Sequence, residues 1–313
     1  MTQVQWRPLT RELDEASSPV RHAVDRLLAD RDGVRVVQRE YRESSGALLV
    51  DTSGANGGTI GTAADLMFRY LFCEAPVMTL PILGAVRLSD GPRSAVLGLI
   101  RSSGGRVPQS IGNTETSPPT RTVGDAPGLA RACWALAAFV EVARGGLWPG
   151  SPLFALADAD VSDPSRYLDM ADEGVVTELT QLWQLAQVSL LPALASRPSP
   201  WFVGPTFSGS ELMHADADLI AGNVLVEVKT NLGSKHKDGS RMTSLPMETL
   251  RQVIGYVLHD LDDEFGLTDV AIYDARYGYF VEWPLVDLLS QTSGRQVDLA
   301  AERSAYARIL RAG

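Results

Sequence analysis

ADADLIAGNVLVEVKT, residues 215–230, reads as two short apolar strands around Gly222-Asn223, yet it carries Asp216, Asp218, Glu227 and Lys229. A buried charge costs several kcal/mol unless it is paired or metal-bound. Gly-Asn is a favourable pair for a two-residue hairpin turn. With that turn, Ala221 faces Val224, Asp218 faces Glu227 and Asp216 faces Lys229. Side chains alternate between faces along a strand. The four charged residues therefore share one side, while Val224, Val226 and Val228 point into the core. Opposed carboxylates repel and raise each other's pKa. A divalent cation relieves that conflict, and magnesium takes one or two carboxylates while keeping several waters. A lysine beside the ion can orient or deprotonate a water whose pKa the ion lowers. These are the parts needed to hydrolyse a phosphodiester.

Lysine usage sharpens the reading. The chain has 25 arginines and three lysines, Lys229, Lys235 and Lys237, all within nine residues. The excess of Arg, Ala and Gly points to a GC-rich, bacterial genome, which supplies Arg where only charge is needed. Unlike Arg, Lys can have its pKa lowered enough to act as a base, so Lys229 points to chemistry.

The 313 residues suit two domains or one large one. The apolar and charged fractions are ordinary for a globular protein. No apolar run of about 18 residues is found, so no transmembrane helix is expected, and the N-terminus lacks the apolar region of a secretory signal. Cys73 and Cys133 form no metal-binding spacing. They read as reduced core residues of a cytoplasmic protein. A net charge of −10, with acid concentrated at 158–178 and 260–269, argues against electrostatic coating of nucleic acid but allows a local basic groove.

Along the chain, residues 17–31 read as an amphipathic helix, and 32–41 and 46–53 as short strands. A glycine-rich loop leads into a helix beginning near Thr62, with Thr59 or Thr62 near its N-cap. That loop lacks the Gly-Lys-Ser/Thr of a phosphate loop, although a helix N-terminus can still bind phosphate. Residues 102–128 read as a loop, 128–146 as a buried helix and 147–166 as a connection. The connection divides an accessory or recognition region of α+β structure, residues 1–165, from residues 166–313. The second part reads as helix (from about 171), strands WFVGPTFSG, HADADLI and NVLVEVKT, a polar loop, a helix over LPMETLRQVIGYVLHDL, strands TDVAIYDA and GYFVEWP, and a helix over 297–310.

The pattern Asp218…Glu227-Val228-Lys229 on a hairpin resembles the PD-(D/E)XK nuclease motif. Gln252 and Tyr256 form a Q-x-x-x-Y step, which puts both on one helix face. That second motif is similar to the RecB-type and lambda-exonuclease-like branch. The element order over about residues 171–283 also resembles that superfamily's core, although Ala217 stands where the family's proline would be.

The resemblance implies a restriction-endonuclease-like α/β fold, a mixed sheet flanked by helices, and magnesium-dependent hydrolysis of DNA with manganese as a substitute. By the same resemblance, Asp218, Glu227 and the Val228 carbonyl would hold the metal. Lys229 would position or activate water, and Gln252 and Tyr256 would brace it or contact substrate. A helix-borne acid would complete the set, with Glu178 favoured over Glu173. Asp216 is the rival to Asp218. Lys235, Lys237 and Arg241, with His236, form a locally basic loop suited to phosphate contact. His214 and the tryptophans read as structural. The expected role is a cytoplasmic nuclease in bacterial DNA repair, restriction or phage defence, with any targeting or motor function supplied by a partner protein. The alternative is a noncatalytic nucleic-acid-binding or regulatory module that keeps the fold.

Overall fold

The computed structural model describes residues 8–108, 113–117 and 124–312. Its first half is helical: α1 (Leu9–Asp14), α2 (Pro19–Asp25), α3 (Arg31–Ser44), α4 (Gly57–Phe72), α5 (Thr79–Val86) and α6 (Asp90–Ser102). A two-residue strand, β1 (Glu115–Thr116), precedes the long α7 (Ala126–Gly145), the short α8 (Phe154–Asp158) and α9 (Pro164–Leu168), and then α10 (Glu173–Leu194). The sheet strands β2 (Trp201–Val203), β3 (Leu219–Ala221) and β4 (Val224–Lys229) follow. A small exposed hairpin, β5 (Ser234–Lys235) and β6 (Arg241–Met242), leads to α11 (Met247–His259). The chain closes with β7 (Asp269–Asp274), β8 (Tyr279–Pro284), α12 (Leu285–Ser293) and α13 (Leu299–Ala312).

The six-stranded sheet runs β1-β2-β3-β4-β7-β8, antiparallel except for the parallel β4–β7 pair. Helices cover both faces. Alternation along β4 sends Val224 and Val226 toward α4, α7 and α10, and Leu225 toward α11 and α12. A strand buried on both faces has to be apolar throughout, which explains why VLV opens β4. The hairpin has the register read from the sequence, Ala221 opposite Val224 and Leu219 opposite Val226. Gly222 takes φ +62° and Asn223 stays out of the positive region, as a type II′ turn requires.

Several sequence expectations are corrected. Residues 32–41 form the helix α3: Asp30 caps it through the Asp32 and Gly33 N–H groups, and Val34, Val37 and Tyr41 share its buried face. The run VRVV suits either period, and the cap with the three- and four-residue steps decides for helix. Residues 46–53 form no strand, and the Leu49 and Val50 N–H groups instead bond to the Arg276 carbonyl. The helix expected near Thr62 begins at Gly57, because Asn56 caps the Gly58 and Thr59 N–H groups. Among the described residues, the first 165 contribute only β1 to a sheet, so the accessory region is helical rather than α+β. Both hydrophobic clusters draw on residues from each side of position 165. Helices α5, α6 and α12 had no counterpart in the sequence reading, and parts of the 102–128 loop lie outside the described residues. α7 is long and apolar enough to cross a membrane, but it is a core helix here, packed against α4, α5 and α10. Cys73 and Cys133 are both free.

At the end of α11, His259 is enclosed. Its Nδ1 lies 3.1 Å from the Gly255 carbonyl and 2.9 Å from the Tyr306 hydroxyl, and its Nε2 3.2 Å from the Met213 carbonyl. Burial pushes its pKa from 6.5 down to about 4, against the opposing pull of those carbonyls. The neutral ring is the folded form. The stability it protects is therefore complete above the unfolded value and is lost as pH falls through 6.5 toward 4, by roughly 3 kcal/mol. Urea unfolding at pH 7 and pH 4 should show His259→Gln losing less stability on acidification than the wild type, by that order.

Candidate active site

Beyond Leu219 the chain leaves the hairpin. The Ala217 N–H bonds to the Pro205 carbonyl, the Gly204 N–H bonds to the Asp218 carbonyl and Asp216 bridges to Thr206, while pairing with β4 ends at Leu219–Val226, so Asp216 and Lys229 are not paired. Asp218 therefore caps the end of β3 and turns its side chain toward β4, where Oδ2 accepts the Val228 N–H at 2.7 Å. The N–H and C=O of a strand residue point to the same side, so the Val228 carbonyl faces the Asp218 end as well.

Glu227 is 3% exposed. Its Oε1 accepts a 2.6 Å hydrogen bond from Lys229 Nζ, which also donates to Gln252 Oε1 at 2.8 Å. Gln252 Nε2 donates to the Tyr256 hydroxyl at 2.7 Å. The two-residue step on β4 and the four-residue step on α11 thus close into one hydrogen-bonded line. Tyr256 stacks on Phe207, ring centroids 5.7 Å apart. The line borders a cleft of about 480 Å³, with Asp218 and Val228 also on its wall.

The cleft contains an acid that the sequence reading missed. Asp65 of α4 lines it, and its charge bears on both Asp218 and Glu227. A lone acid in the apolar run TAADLMFRYLF was the available signal, by the same reasoning that singled out the hairpin. α4 comes close because Gly61 has no side chain: a Cβ there would lie 3.1 Å from Thr230 Oγ1. Gly58, Gly61 and Thr62 line the cleft too, so the first turns of α4 reach the site, although its first N–H groups are engaged by Asn56.

Glu178 is elsewhere. It forms a buried ion pair with Arg276, and its second oxygen accepts the Ser53 N–H at 2.7 Å. Arg276 also donates to the carbonyls of Val50, Asp51 and Thr230. With both oxygens engaged and no place on the cleft wall, Glu178 is a structural residue. Glu173 is exposed and paired with Arg131. Lys235, Lys237 and Arg241 lie on or beside the β5–β6 hairpin and do not line the cleft.

Burial, with Glu227 and Asp65 nearby, raises the Asp218 pKa well above the ordinary carboxylate value, against the Val228 N–H. Burial also raises Glu227, although Lys229 opposes it. Burial alone would lower Lys229, but the ion pair and hydrogen bond with Glu227, together with the charge of Asp218, outweigh it and raise the pKa. A lysine pKa lowered for base chemistry is therefore not what the site provides. At Asp216 burial opposes ionisation, but His214, backed by Arg144 and Arg69, holds the carboxyl below its usual range.

Among the described residues, no three or more His, Cys, Asp or Glu side chains are spaced to hold a metal. The donors at hand are two carboxylates, Asp218 and Glu227, and the Val228 carbonyl. Glu227 Oε2 is buried without a hydrogen-bond partner, a cost that a cation would remove. This oxygen-only set with few protein ligands fits magnesium, which keeps its waters, and does not fit zinc. No protein-family model, no curated protein and no solved structure matches this chain.

Removing one partner of a buried ion pair costs roughly 3–5 kcal/mol, while replacing both by apolar residues is often neutral. Arg276→Met alone should lose at least that amount in denaturant unfolding. Glu178→Leu/Arg276→Met should recover only part of it, because the Val50, Asp51 and Thr230 carbonyls lose their partner in both variants and the Ser53 N–H loses its own in the double one. A ligand role for Glu178 requires instead that the conservative Glu178→Gln abolish metal binding.

Proposed function

We propose that this chain is a metal-dependent nuclease with a restriction-endonuclease-like core, hydrolysing phosphodiester bonds in DNA. The observation that carries the reading is the line Glu227–Lys229–Gln252–Tyr256 beside the buried Asp218, on a cleft wall. A hairpin and a helix distant in sequence converge on those residues, whereas an incidental ion pair needs neither Gln252 nor Tyr256.

Asp218 and Glu227 would hold the ion, with the Val228 carbonyl as a third donor. Magnesium, or manganese in its place, supplies charge stabilisation at the phosphate and a more acidic water. The protein's own groups do the positioning. The Val228 N–H fixes the Asp218 carboxylate. Gln252 orients the Lys229 ammonium, whose one remaining N–H would be aimed at the attacking water while its charge favours the negative charge developing on the phosphate. Tyr256 fixes the Gln252 amide. Preorganisation of this kind lowers a barrier without reorganisation at the moment of reaction. Such an enzyme would act in the cytoplasm, in DNA repair, restriction or phage defence, with a partner protein delivering it to DNA.

A second reading, a noncatalytic binding or regulatory module, is favoured by one observation: the Lys229 ammonium already offsets the Glu227 charge without a metal ion. The two readings separate in one experiment. Linear duplex, closed circular and single-stranded DNA are incubated with magnesium, manganese or chelator. The nuclease reading expects metal-dependent cleavage, reduced at least about 100-fold in Asp218→Ala and Lys229→Ala, in line with the loss of one charge-stabilising group. It also expects magnesium to raise the Tm of the wild type but not of Asp218→Ala. Absence of both cleavage and a Tm shift sinks it in favour of the binding module.

A further inference from the structure

A second and larger cavity, about 820 Å³, adjoins the cleft and shares Leu80, His214 and Asp216 with it as a common wall. Its own lining includes three arginines, Arg69, Arg101 and Arg106, against the single acid Asp216. In a chain of net charge −10, a concavity with that balance is a local reversal of sign. Arg69 stands at the junction. It pairs with Asp65 of the cleft at 2.9 Å, and its Nε is buried without a hydrogen-bond partner. Arg101 and Arg106 are exposed farther along, at and just beyond the end of α6. The lining also has exposed apolar residues: Leu83 is 42% and Val107 41% exposed. The opposite wall is held in place. The Asn113 side chain exchanges two 2.8 Å hydrogen bonds with the Thr206 backbone, and Thr116 Oγ1 donates to the Phe72 carbonyl at 3.0 Å.

We infer that this groove is the track for an unpaired nucleic-acid strand running into the cleft, so that the substrate is single-stranded, or frayed at the end that enters. The arginines suit backbone phosphates, and the exposed apolar residues suit base faces. A duplex turns its bases inward and offers those residues nothing, whereas a single strand offers both contacts at once. The volume falls within the range of sites that envelop their ligand, which suits a few unstacked nucleotides. An acidic peptide would satisfy the arginines but leave the continuity with the cleft without a use. The inference rests on the nuclease reading in one respect, that phosphate chemistry takes place in the cleft.

The test is fluorescence anisotropy in chelator with labelled oligothymidylate, oligouridylate and a blunt duplex of equal length. Wild type should bind the single strands more tightly than the duplex, the two single-strand arms separating DNA from RNA. Arg101→Glu/Arg106→Glu should weaken single-strand binding at least about tenfold and flatten the slope of log affinity against log salt by about 1.4, the loss of two phosphate contacts. Leu83→Glu, at an exposed lining position, should weaken binding in the same direction if the double variant fails to fold. Unchanged affinity in both variants, or a preference for duplex, overturns the proposal. Lys229→Ala should retain the binding while losing cleavage with magnesium. Arginine-dependent binding by a wild type that neither cleaves with magnesium or manganese nor gains Tm with magnesium upholds the groove and overturns the nuclease reading. Cleavage with arginine-independent binding does the reverse.

Discussion

The burial of Glu227 is the constraint on which the rest of the site depends. Its carboxylate lies where β4 has just passed through an apolar interior, and the partner that offsets its charge is Lys229, two residues on. That lysine is long and flexible and would sample many positions if held only by Glu227. Gln252 supplies the second anchor, so α11 must lie against the end of β4. Tyr256 supplies the third, wedged on Phe207. The crossover from β4 through α11 to the parallel β7 therefore does two things: it covers one face of the sheet, and it brings the helix that steadies the ion pair.

The opposite wall is supplied from far away in the chain. α4 delivers Asp65 and Arg69 as an i,i+4 pair whose charges face Asp218 and Asp216. The first half of the protein is thus a builder of the site as well as a neighbour of it. The carboxylates outnumber the cations around the cleft, while the adjoining groove is rich in arginine. Under the proposed function, that gradient would draw a phosphate chain along the groove and leave the cleft's excess negative charge to be balanced by a metal ion.

How legible this was in the sequence depended on range. The hairpin register could be read because Gly222-Asn223 and two-residue alternation are local facts, and Gln252 and Tyr256 because a four-residue step is one. Asp218's contact with Val228 was not legible there, because the pairing stops at Leu219 and the register alone would set Asp218 against Glu227. Asp65 could not be linked to the hairpin by spacing, since only the fold brings α4 there, although a lone acid in an apolar helix was visible. Glu178 was placed in the site only by the resemblance, which implies an acid on the helix before the strands; nothing in the sequence showed that this helix turns it toward Arg276 instead. At residues 32–41 the ambiguity is local: VRVV fits both periods, and the Asp30 cap decides for helix.

Arg276 carries a consequence for how such a chain can change over evolutionary time. One guanidinium gathers the backbone at Val50 and Asp51, the α10 carboxylate Glu178 and the carbonyl at Thr230, immediately after the strand that bears Lys229. A recombination that exchanged the first half for an unrelated one would leave this buried cation facing whatever the newcomer happened to present. The two halves are therefore expected to be inherited together and to drift in concert, with substitutions near Val50 compensated beside Glu178 rather than tolerated alone.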